Sequence, residues 1–188
     1  MVMKRITTLV IILLVTVAAM AQDQAPLTKQ EKKALKMEQK KQTELILAKN
    51  TADAISSGHF VLKADQIRGR WGHMMNVDPT INFVAVDEGE AYVQLGSPTG
   101  IGYNGLGGVT LRGSITSFNV EREKKYGGYN IIMNTIGVSG ALTIVMHVNV
   151  TGEMATASVA TNWGSRVDFD GVLVPWTGKN VYKGTETF

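Results

Sequence analysis

Short runs of alternating apolar and polar residues fill the chain from His59 to Pro175. Phe60, Leu62 and Ala64 alternate with Val61, Lys63 and Asp65. Ile81, Phe83 and Ala85 form the next apolar series around Asn82. Ala91, Val93 and Leu95 lie opposite Glu90, Tyr92 and Gln94. Val109, Leu111 and Ile115 follow, then a strand over residues 130–138. Leu142, Ile144, Met146, Val148 and Val150 make the cleanest alternation, and Ala155, Ala157 and Val159 the next. Val167, Phe169 and Leu173 form the last series. A period of two over such lengths predicts half-buried β-strands. Residues 68–80 between the first two read as a loop.

Tight-turn signals separate the runs: Asp87-Glu88-Gly89, the charged stretch EREKKYGG at 121–128, Ser139-Gly140, Thr151-Gly152 and Asn162-Trp163-Gly164. Eight strands are thus expected in sequence, joined mostly by short turns. No helical pattern alternates with them, which argues against a parallel sheet. An antiparallel meander with one apolar face closes into a barrel or folds into a β-sandwich. Gly113 and Gly171 fall inside strands, where they predict bends or bulges, and so favour a closed or nearly closed barrel.

The pattern before His59 is different. Thr28 and Glu31 stand in capping-box spacing, so a helix is expected to start there and end near Ser57, with Gly58 as its left-handed C′ residue. Residues 29–43 are almost wholly polar. Leu45, Ala48, Ala52 and Ile55 fall at helical spacing and predict the stripe that packs on a body. This gives three parts: a leader over 1–21, a linker and helix over 22–57, and a single β domain with a C-terminal tail over 58–188.

The leader changes the picture of location. Lys4 and Arg5 precede an apolar run from Ile6 to Val17, and Ala19-Met20-Ala21 supplies a small-x-small cleavage pattern. These are the parts of a secretory signal peptide, and the run is short for a retained membrane anchor. The chain has no cysteine, so it cannot be lipidated as a bacterial lipoprotein, nor use disulfides or thiolate ligands. A soluble periplasmic or secreted protein is expected, touching the membrane only through its leader.

Charge adds little. Two of the 19 Lys and Arg lie in the leader, leaving 17 against 16 acids. Seven lysines cluster between Thr28 and Ile55 against four acids, the pattern of a solvated helix face; no nucleic-acid footprint emerges.

The candidate chemistry is sparse. Residues 100–105, GIGYNG, match the dinucleotide fingerprint G-x-G-x-x-G in letters. Nucleotide binding needs a helix to follow, and here Gly107, Gly108 and a β-branched strand follow instead. His59, His73 and His147 are not at metal-ligand spacing, and His73-Met74-Met75 reads as packing. Asp168 and Asp170 share a strand face with Arg166. A carboxylate pair could serve hydrolysis, but alternating charges are also the ordinary outer face of an antiparallel strand. No catalytic residue, cofactor or metal is expected.

The stretch YNGLGGVTLRG at 103–113 resembles a family of bacterial secreted proteins known only as domain of unknown function 4251. Phe60-Val61-Leu62-Lys63-Ala64-Asp65, Asn82-Phe83-Val84, Tyr92-Val93-Gln94-Leu95, the Gly- and Ala-rich strand over 152–161 and Asp170-Gly171-Val172-Leu173-Val174-Pro175 fit it in the same order. The resemblance implies a signal peptide, a helix and a β-rich body, and brings no activity with it.

The function expected is that of a non-catalytic binding or interaction module of the bacterial envelope, its partner an envelope protein or a small ligand. Tyr103, Asn104 and Trp163 are the candidate contacts, provided their loops meet at one mouth. The alternatives are a structural protein docking through its lysine-rich helix, and a hydrolase using Asp168 and Asp170.

Overall fold

The computed structural model describes residues 28–97 and 102–187; the leader reading lies outside them. Helix α1 runs Lys29–Ser57 and is followed by nine strands: β1 Phe60–Gly69, β2 Met74–Asn76, β3 Phe83–Asp87, β4 Glu90–Leu95, β5 Val109–Arg122, β6 Tyr129–Gly137, β7 Gly140–Val148, β8 Ala155–Thr161 and β9 Arg166–Pro175. All pairings are antiparallel, in the order β2-β1-β3-β4-β5-β6-β7-β8-β9, and β9 also pairs with β1. Eight strands therefore close into a barrel. Strand β2 is the extra one: it folds back on Gln66, Ile67 and Arg68, beyond the point where β3 leaves β1. It lies in the stretch expected to be loop, because three exposed residues are too few to show a period.

The helix is capped as its ends predict. The Thr28 N–H donates to Glu31 Oε2 at 2.8 Å, and the Glu31 N–H donates to Thr28 Oγ1 at 3.3 Å. Gly58 has φ +69°, and the His59 N–H bonds the Ala54 carbonyl. The chain divides into two compact units at Gln42/Thr43. Residues 29–42 are exposed throughout. The later turns of α1 belong with the strands, and there the stripe is shifted: Thr51, Ala54 and Ile55 are buried, whereas Leu45 is 70% exposed.

The barrel is filled by its own side chains. Phe60, Leu62, Val84, Ile131, Met133, Ile144, Met146 and Phe169 are all fully buried within one cluster, which Ala54 and Ile55 join from α1. The inward phase of most strands is the one their alternation predicts. Strand β3 is inverted: Val84 and Val86 face the interior, and Phe83 and Ala85 belong to a second cluster with Val61, Tyr92 and Val181. That cluster lies on the outer wall, where the tail after Pro175 supplies Trp176 and Val181 as its cover.

The curvature devices sit slightly away from where the glycines suggest. On β1 the register slips between Ala64 and Gln66, opposite Gly171. Any side chain at Gly171 would collide with the Lys63 carbonyl, so the glycine permits the close approach and Asp65 is the inserted residue. On β5 the slip falls between Ile115 and Ser117, not at Gly113.

Candidate functional site

The meander sorts its connections to two ends. At the end where α1 enters β1 lie the β3–β4, β5–β6 and β7–β8 turns. At the far end lie the β4–β5 loop that carries Tyr103 and Asn104, the β6–β7 turn, and the β8–β9 turn that carries Trp163. The three candidate residues thus share one end of the barrel, and their side chains do different things.

Asn104 is 1% exposed. Its Nδ2 donates to the Leu95 carbonyl and to Thr110 Oγ1, at 3.1 and 3.2 Å. Its Oδ1 accepts from the N–H groups of Leu106 and Gly108, at 2.9 and 3.0 Å. All its hydrogen-bonding capacity is used in holding the loop, and none is left facing solvent. The loop leads straight into β5, so no helix N-terminus stands where a pyrophosphate would bind. Tyr103, its neighbour, is 83% exposed.

Trp163 reaches from the β8–β9 turn across to the β6–β7 turn, where its ring lies against Gly140; a Cβ there would come within 2.8 Å of it. Between these turns is a cavity of about 460 Å³ lined by Leu111, Val138, Ser139, Leu142, Thr161 and Trp163. Tyr103 does not line it. Leu111 and Leu142 are inward residues near the last layer of the barrel, so the floor is apolar. Trp163 and Val138 form an exposed rim. The polar members of the lining are Thr161 and Ser139, and the Ser139 hydroxyl is buried with no partner among the described residues. The Thr135 hydroxyl, across the strand pair from Leu142, is also buried and unpartnered. A buried hydroxyl without a partner is costly, and in a folded protein it calls for an explanation. Sequence inspection finds Trp163 but not Ser139, because nothing local shows that its hydroxyl is enclosed.

A larger groove of about 940 Å³ runs along the outside of β6–β8 at the helix end. It carries Asp65, Glu123, Glu153, Asp170, Tyr126 and His147. Most of its polar groups are already engaged: Asp170 accepts from Thr156 at 2.9 Å and lies 3.7 Å from Arg68, His147 bonds Asn130 at 2.8 Å, and Thr151 donates to Glu153 at 3.1 Å. The neighbouring carboxylate of the Asp168/Asp170 pair is held by Arg166 at 2.9 Å. Among the described residues no group of three His, Cys, Asp or Glu is placed to hold a metal ion.

A model of the domain of unknown function DUF4251 matches residues 39–173. The chain belongs to the DUF4251 family. A DUF4251 family protein from Bacteroides eggerthii DSM 20697, solved by crystallography at 1.95 Å resolution, is 27% identical, with a TM-score of 0.57. The similarity covers 69% of this chain and 88% of that one. No curated protein matches. The DUF4251 match spans α1 from residue 39 onward and every strand of the barrel, ending at Leu173 within β9. The far mouth with Ser139 and Trp163 therefore lies inside the family domain, while the covering tail lies beyond it.

Proposed function

We propose that this DUF4251 protein is an exported, non-catalytic binding module whose ligand site is the far mouth of the barrel. The observation that carries the reading is the cavity between the β6–β7 and β8–β9 turns, where the apolar groups of Leu111, Leu142, Val138 and the Trp163 ring are joined by Ser139 and Thr161. A largely apolar recess with a small number of polar groups is the usual form of a small-ligand site. The filled interior confines the ligand to the rim. A small uncharged molecule with a flat apolar face for Trp163 suits it. Export rests on the leader pattern at residues 1–21.

The test is a ligand-observed NMR screen of small neutral aromatic and saccharide probes, followed by titration. Trp163→Ala is expected to weaken any hit at least about tenfold, as fits the loss of an aromatic face. Hits that bind this variant as well as the parent overturn the assignment.

A second reading is supported by the exposed helical residues 29–42, which carry six lysines. They suit an acidic envelope partner. Deleting residues 22–42 should then abolish capture of that partner from an envelope extract while the barrel still folds; undiminished capture removes this reading.

A further inference from the structure

Strand β5 outruns its neighbour. Strand β4 pairs with it only between Leu95↔Val109 and Glu90↔Ser114, and the last bond on that side runs from the Ile115 N–H to the Gly89 carbonyl at 2.8 Å. Strand β6 continues beside it to Arg122↔Tyr129. Residues 116–122 thus pair on one side only, and among the described residues no strand takes the other. All seven are exposed. The barrel is closed at its far end and split between β4 and β5 at the helix end.

Folded proteins usually blunt such an edge with proline, lysine or shortness. This one, TSFNVER, has neither proline nor lysine, and its charges fall only on Glu121 and Arg122. Phe118 and Val120 lie across from the buried Met133 and Ile131 and face inward with them. Even so they are 39% and 37% exposed, because the split leaves that side uncovered.

We propose that this edge pairs with the same edge of a second copy, antiparallel about a two-fold axis through Asn119. The segment is self-complementary in that register. Phe118 meets the partner's Val120, an aromatic–β-branched pair of the favourable kind. Ser117 meets the partner's Glu121, and Thr116 meets the partner's Arg122, so no like charges are opposed. Shared pairing through one patch closes at two copies and does not propagate. Seven residues per copy make a small contact, so the dimer is reversible and concentration-dependent. The inference is independent of the mouth, which lies at the other end of the barrel.

The experiment is sedimentation velocity on the full chain, expressed with its leader and purified as the cell delivers it, at concentrations up to about 200 µM, the range where small contacts become populated. A monomer–dimer equilibrium is expected. Asn119 is exposed and pairs with Ile132, which is 44% exposed on the outer face, so substitution there spares the core. Asn119→Lys and Asn119→Glu each set like charges on the axis and should weaken association at least about tenfold. Mixed in equal amounts they should associate again, because Lys then faces Glu. Amides of residues 116–122 should gain hydrogen-exchange protection with rising parent concentration. A monomer at every concentration, variants that associate like the parent, a mixture that fails to recover, or unchanged exchange would each overturn the proposal.

Discussion

Gln94 Oε1 accepts a 2.8 Å hydrogen bond from the Gly184 N–H, ninety residues further along the chain. The same amide donates from Nε2 to the Tyr182 carbonyl at 2.7 Å and to the Ile81 carbonyl at 3.0 Å, and Oε1 also accepts from Thr110 Oγ1 at 2.9 Å. The tail completes this strap by exchanging bonds with Thr110: the Thr187 N–H donates to its carbonyl, and its N–H donates to Thr187 Oγ1. Gln94 is fully buried, so its loss strands two carbonyls, an N–H and a hydroxyl. Gln94→Ala should cost about 2–4 kcal/mol on the scale of buried unsatisfied groups. Urea denaturation measures the loss, and trypsin cleavage at Lys179 and Lys183 should become faster. A cost under about 0.5 kcal/mol, typical of a surface change, would show that the strap is dispensable.

Four residues before Gln94 on β4, the Glu90 carboxylate receives Arg112 Nη2 at 2.6 Å, Arg112 Nε at 2.8 Å and the Tyr92 hydroxyl at 2.6 Å. Arg112 also reaches Glu186 of the tail at 3.2 Å, and Lys183 Nζ lies 3.8 Å from the centre of the Tyr92 ring. The Arg112 hydrogen bonds, followed by that of Tyr92, hold the Glu90 carboxyl below its ordinary 4.5. Burial, followed by the bond to Glu90, pushes the Tyr92 phenol up to about 12. A depressed carboxyl pKa contributes stability that is complete above 4.5 and is lost as pH falls through the folded value. Glu90→Gln should therefore cost about 1 kcal/mol at pH 7, as for a charge-assisted bond near the surface. The gap to the parent should shrink as pH falls below 4.5. A gap unchanged across that range in pH-dependent denaturation would rule out the linkage.

Asn104 is expected to answer to stability. Its four hydrogen bonds tie the loop before β5 to Leu95 and Thr110. Asn104→Ala should cost about 2–3 kcal/mol, and Tyr103→Ala, exposed at 83%, less than about 0.5. Comparable denaturation midpoints for the two variants would contradict this division.

Gly152 marks where α1 meets the barrel. It has φ +76°, and a Cβ there would approach the Leu173 carbonyl at 2.5 Å and Thr51 Oγ1 at 2.7 Å. Its own carbonyl accepts the Leu173 N–H at 2.8 Å. Gly152→Ala combines a disfavoured backbone with a clash against main chain, and should cost at least about 2 kcal/mol. A melting temperature lowered by about 5 °C or more would register it.

The amino-acid sequence determined what local chemistry determines. Period-two alternation marked the eight barrel strands, turn residues marked their hairpins, and Thr28, Glu31 and Gly58 marked the ends of α1. The YNGLGGVTLRG stretch pointed to the family. Each of these depends on residues a few positions apart. What remained hidden depends on partners far away in the chain. Closure needs β9 to find β1, across about a hundred residues. The inverted phase of β3 needs Trp176 and Val181 to make a second apolar surface on the outer wall, which turns an alternating strand into one buried on both faces. Asn104 looked available because an amide in a glycine-rich loop carries no sign of its own burial. Ser139 looked ordinary because a serine in a tight turn carries no sign that its hydroxyl is buried. Tertiary structure decided these points, since burial and hydrogen-bond satisfaction are properties of the whole packed chain and not of its segments.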